Sequence, residues 1–105
     1  MSADPEDLVP IASDSKTLRA LRVRGTSMNR VVDDGGVIVV DYEQNHPYDK
    51  MLVIARIGDE VTFKRYRDTN GPIRLEPDST DPHETIFPGE GFEILGRVVY
   101  SIRSH

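Results

Sequence analysis

Apolar residues recur along this chain with a period of two, in short runs separated by turn residues. Residues 18–24 alternate, with Leu21 and Val23 facing one way and Arg22 and Arg24 the other. Residues 37–42, "VIVVDY", are a nearly continuous β-branched run and predict a buried strand. The run 51–57, "MLVIARI", predicts the next strand. Gly58-Asp59 is a tight-turn signal, so residues 60–67, "EVTFKRYR", return as a hairpin partner. Asn70-Gly71-Pro72 turns the chain into a short strand over 73–76, and a loop rich in Pro, Asp and Gly follows over 77–91. Residues 92–102, "FEILGRVVYSI", close the pattern as a strand with a break at Gly96. The segment 28–34 has room for one helical turn before Gly35-Gly36. Six or seven short strands predict a mainly β domain of twisted antiparallel sheets joined by hairpins. No helix is long enough to fill a DNA groove, and no helix-turn-helix is visible.

The period fails at the front. Residues 1–16, "MSADPEDLVPIASDSK", hold two prolines and no regular alternation, which predicts an arm or linker ahead of a domain over 17–105. Leu8, Val9 and Ile11 give that arm apolar positions able to dock on the domain.

Composition narrows the class. A chain of 105 residues suits one small domain, which buries roughly 60–70% of its unfolded surface and supports one core. Tryptophan is absent, so the core must be mostly Val, Ile and Leu. There is no cysteine, which excludes disulfides, thiolate metal sites and a cysteine nucleophile. The net charge of −5 makes the chain as a whole a poor polyanion binder. The longest uninterrupted apolar stretch, Met51 to Ala55, is far too short to span a bilayer, and the acidic front is no signal peptide. The expectation is a soluble, cytoplasmic protein with no membrane partner and no cofactor.

Candidate chemistry centres on "RVRGTSMNR", residues 22–30, and on the strand 60–67. In that strand Thr62, Lys64 and Tyr66 share one face and Val61 and Phe63 the other. A serine hydroxyl needs a base to attack a carbonyl, and a lysine serves only when neutral. Free lysine has a pKa near ~10.4, and burial among apolar strands can depress it by up to ~3–5 units. A glycine just before the serine permits a tight turn that aims backbone N–H groups at a developing oxyanion. From spacing alone, the same residues also describe a turn serine and a mid-strand lysine that snorkels to solvent or guards an edge.

At these residues the chain resembles the LexA-like family of serine peptidase domains, found as the C-terminal domains of LexA and phage repressors and in UmuD. The matching pieces, in family order, are "LRVRGTSM", "DDGGVIVVD", "VIARIGDEVTFKRY", "IRLEPDST" and "EILGRVVYSI", covering about residues 20–102. The resemblance implies that Ser27 is the nucleophile and Lys64 the general base. It implies an oxyanion hole from the backbone N–H groups of Thr26 and Ser27, and places Met28 beside the nucleophile, lining the cleft. It further implies a homodimer, with the C-terminal strand at the interface. The family domain is an autoproteolytic serine peptidase that cuts its own linker, under stimulation by a RecA filament after DNA damage. DNA is then bound only by a separate N-terminal domain, absent here.

Departures from the family pattern are Thr26 for Asp, Arg30 for Pro, and Gly35-Gly36 for Gly-Asp. The last is expected to alter the turn next to the site. Family members cut an Ala-Gly or Cys-Gly bond, and residues 1–26 contain neither. The expectation is therefore an excised C-terminal domain or a standalone relative, with Ala12-Ser13 the nearest small-residue bond. Two rival readings share the fold: a non-catalytic module for dimerisation or partner binding, and a UmuD-like polymerase accessory protein. A membrane signal peptidase shares the Ser/Lys logic but needs a spanning segment.

The remaining polar residues read plainly. His46, His83 and His105 have no metal-ligand spacing and read as loop histidines. The loop "DSTDPHE", residues 78–84, is no EF-hand, and Gly89-Glu90-Gly91 lacks the context of a phosphate loop. Arg19, Arg22, Arg24 and Arg30 read as a solvated strand face, and Val61 and Phe63 as core.

Overall fold

The computed structural model describes residues 8–11 and 17–103. Seven strands form one antiparallel sheet: β1 (Leu8–Ile11), β2 (Leu18–Val23), β3 (Val37–Asp41), β4 (Leu52–Ile57), β5 (Glu60–Arg67), β6 (Arg74–Glu76) and β7 (Phe92–Ile102). The fold is mainly β, as the two-residue period predicts, with no helix among the described residues. None there is long and apolar enough to cross a membrane.

The strand order is β1-β2-β3-β7-β4-β5-β6, so the last strand sits between β3 and β4. Two register shifts mark it. Against β3 the pairing steps from Val39↔Tyr100 to Val40↔Val98, and against β4 from Ile54↔Gly96 to Ala55↔Ile94. Each shift leaves one extra residue on β7, and such bulges bend a strand and tighten its twist. At Gly96 β7 comes close to β3, since a Cβ there would lie 2.7 Å from the Asp41 carbonyl oxygen.

The bent sheet encloses two apolar clusters. One holds Leu21, Val23, Met28, Val32, Ile38, Val40, Ile54, Phe63 and Val98. The other holds Met51, Val53, Ala55, Tyr66, Leu75 and Ile94. Strands β4 and β5 contribute to both, Ile54 and Phe63 to the first and Val53 and Tyr66 to the second. Both faces of the hairpin are therefore covered, which is what allows a polar side chain on β5 to be buried.

One expectation changes. Val61 is not core but 37% exposed, because it lies next to the hairpin end, where the strand pair leaves the sheet's covered part. Phe63 is fully buried, as expected. Within the segment read as an arm, residues 8–11 form β1 and pair with β2 over Leu8↔Val23 to Ile11↔Ala20. The Ala12-Ser13 bond lies outside the described residues.

Candidate active site

Strand β2 ends at Val23, and Gly25 turns the chain with a φ of 98°, a conformation only glycine adopts without strain. The Gly25 N–H donates to the Asp34 carboxylate at 2.8 Å. The Thr26 carbonyl accepts from Asn29 N–H at 3.2 Å, and the Met28 carbonyl accepts from Val31 and Val32 N–H at 2.9 and 3.0 Å. This is the single helical turn that residues 28–34 have room for. Met28 drops its side chain into the first cluster and is 1% exposed. Its anchoring fixes the preceding residue, and Ser27 is 2% exposed.

The turn after Val32 is closed by Gly35 N–H to Val23 O at 2.8 Å and Val23 N–H to Gly36 O at 2.9 Å. A Cβ at Gly36 would stand 2.8 Å from the Ile102 carbonyl oxygen, so this turn packs directly on the end of β7.

Lys64 lies mid-strand in β5, opposite Val53, and is 5% exposed. Its Nζ stands 3.2 Å from Ser27 Oγ, 2.7 Å from Thr62 Oγ1 and 3.2 Å from the Phe63 carbonyl oxygen. A solvent-seeking lysine would have escaped this position along its four-carbon stem. The apolar cover on both faces prevents that, so the amine is held among oxygens instead. Residues 37 positions apart are thus brought to hydrogen-bond distance, while Met28 sits beside them and Thr26 opens the turn.

A third segment completes the site, and the pattern of the chain alone does not point to it. The loop after β6 runs back along the 26–30 turn. Asp78 N–H donates to Ser27 O at 2.9 Å and also reaches Met28 Sδ at 3.2 Å. The Asp78 carbonyl accepts from Arg30 N–H at 3.1 Å, and its carboxylate pairs with Arg65 at 3.1 Å. Asn29 and Thr80 exchange two bonds of 2.9 and 2.8 Å. His83 Nε2 lies 3.1 Å from Thr26 Oγ1. The loop is itself held by mutual bonds between Leu75 and Ile86 at 2.9 and 3.0 Å.

The other singled-out residues stay apart from this centre. His46 is exposed, and His105 lies outside the described residues. The Arg22 guanidinium donates to the Gly35 carbonyl at 2.7 Å. Arg30 remains largely exposed, 3.9 Å from Asp78. No group of three or more His, Asp or Glu among the described residues is arranged to hold a metal.

The model of the Peptidase S24-like family matches residues 3–99. A LexA repressor of Paracidovorax citrulli is 43% identical over 86 residues, covering 80% of this chain and 38% of the relative. A LexA repressor of Polaromonas sp. is 41% identical over 86 residues, covering 80% of this chain and 36% of the relative. A LexA repressor of Cereibacter sphaeroides is 41% identical over 88 residues, 82% of this chain and 38% of the relative. The chain thus spans little more than a third of the length of these curated relatives.

Proposed function

The chain belongs to the S24-like peptidase family, and from that premise we propose that it is a Ser/Lys self-cleaving peptidase and dimerisation domain of a LexA-like or phage-type repressor. The observation that carries this reading is the 3.2 Å approach of Lys64 Nζ to Ser27 Oγ, both groups being buried. A neutral amine has two N–H groups and one lone pair. Nζ lies within hydrogen-bond reach of the Ser27 hydroxyl, beside the Phe63 carbonyl and the Thr62 hydroxyl, so the lone pair of a neutral amine can accept the Ser27 proton.

In this mechanism Lys64 takes the Ser27 proton as Oγ attacks the scissile carbonyl carbon. The N–H groups of Thr26 and Ser27 stabilise the oxyanion. The tetrahedral adduct collapses to an ester at Ser27, and Lys64 returns its proton to the departing amine. Water then attacks the ester with Lys64 again as base, releasing the acid and restoring the hydroxyl. An ammonium cannot accept a proton, so the rate rises with pH.

The partners proposed with this reading are a second copy of the chain, a RecA filament as activator, and DNA through a separate domain. Exposed Tyr100 and Ile102 at the end of β7 support the second copy.

The test places the domain behind a relative's linker carrying an Ala-Gly bond and follows fragments by mass spectrometry at pH 7 and pH 10. The expected outcome is cleavage that is faster at pH 10 and absent in Ser27→Ala and Lys64→Ala. An intact, folded protein at both pH values would favour the non-catalytic dimerisation module.

A further inference from the structure

We propose that His83 is a positioning residue for the oxyanion turn, acting through the Thr26 hydroxyl; the proposal rests on the Ser27/Lys64 reading. The peptide plane between Gly25 and Thr26 carries one of the two N–H groups assigned to the oxyanion. One flank of that plane is Gly25, at a φ of 98°, and glycine has the widest backbone freedom of any residue. The other flank is Thr26, whose β-branched side chain is stiff at χ1. Fixing the Thr26 hydroxyl therefore fixes its backbone, and the group that fixes it is the His83 imidazole, 3.1 Å away and partly buried.

The surrounding bonds show why this contact matters. Asp78 and Thr80 tie the loop to Ser27, Met28, Asn29 and Arg30, which lie at or after the nucleophile. Before the nucleophile, the loop's contact is His83 with Thr26. The loop thus grips the turn on both sides of Ser27. Either ring tautomer serves, since Nε2 accepts from the hydroxyl or donates to it.

The test uses the 105-residue chain and a small dialkyl fluorophosphate, with intact mass as the readout. Ser27 Oγ forms a bond to phosphorus, the P–F bond breaks, fluoride leaves, and the hydroxyl proton passes to Lys64. Charge grows on the phosphoryl oxygen, so the reagent reads the oxyanion donors without a peptide substrate. His83→Ala is expected to slow labelling ~10-fold, short of the ~100-fold or more that follows outright loss of an oxyanion donor. His83→Phe keeps the ring without its polar atoms and should be as slow. His83→Gln restores a group that both donates and accepts and should recover most of the rate. Thr26→Val removes the same contact from the other side, so the double variant with His83→Ala should be no slower than either alone.

Wild-type labelling rates in His83→Ala or His83→Phe, or multiplying effects in the double variant, would overturn the positioning role. That result would leave the Ser/Lys reading standing if Ser27→Ala still abolished labelling. A wild-type chain that takes no label at Ser27, though folded by its thermal melt, would overturn both.

Discussion

Lys64 is the residue at which stability and chemistry pull apart. An amine 5% exposed among β-strands costs the fold more than an apolar side chain of the same length would. Methionine is nearly isosteric with the lysine stem and needs no hydrogen-bond partners. Lys64→Met is therefore expected to melt at or above the wild-type temperature while losing all reaction at Ser27. A thermal melt beside the labelling assay checks both halves, and a clear fall in melting temperature would show that the three oxygens around Nζ stabilise the fold. At the same scale, "GTSM" and "EVTFKR" mark Ser27 and Lys64 in the sequence, because their meaning lies in residue type and order. His83 carries no such mark, and Asp78 and Thr80 stand in the matching piece "IRLEPDST" with no role implied for either. Their part depends on a loop folding back over the turn, which no local pattern encodes.

At the scale of elements, the β4–β5 hairpin holds half of the dyad and is pinned at both ends. Gly58 and Asp59 form its two-residue loop, with Gly58 at a φ of 61°, the positive value a primed turn needs at its first position. At the open end, Asp49 accepts from Asp68 N–H at 2.9 Å and from the Arg67 guanidinium at 2.9 Å. These bonds, the backbone one first, hold the Asp49 carboxyl below its ordinary value of 3.8. A depressed carboxyl contributes stability above its unfolded value, and that stability is lost as pH falls through the lower folded value. Asp49→Asn should therefore lower the urea midpoint at pH 6, with the gap to wild type closing below about pH 4. A gap of constant size from pH 6 to pH 2.5 would mean that the charge on Asp49 is not what pins the hairpin.

At the scale of the molecule, β7 joins two halves. Strands β1, β2 and β3 lie on one side of it and β4, β5 and β6 on the other. Ser27 lies in the turn between β2 and β3 of the first group and Lys64 belongs to the second, so the two residues meet across this seam. Gly96→Ala would press a methyl group against the Asp41 carbonyl, 2.7 Å from the added carbon. A cost of ~1–3 kcal/mol is expected for such overpacking. Because the halves share one seam and one sheet, they should unfold together. Urea curves followed by circular dichroism and by tyrosine fluorescence are expected to coincide in wild type and variant alike. Separated curves would show that each half is stable without the other.

The strands and turns of this protein were legible in its sequence because their causes are local: a period of two, β-branched runs, and Gly, Asn and Asp where the backbone must reverse. The mainly β class and the six strands from residue 18 onward followed from those signals within a residue or so of their ends. Tertiary structure alone decided that the last strand enters the middle of the sheet, that Val61 faces solvent, that Lys64 is buried beside Ser27, and that His83 lies on Thr26. Each of these depends on pairing or packing between residues far apart in the chain. Such contacts form only where the whole fold repays the entropy of closing the loops between them.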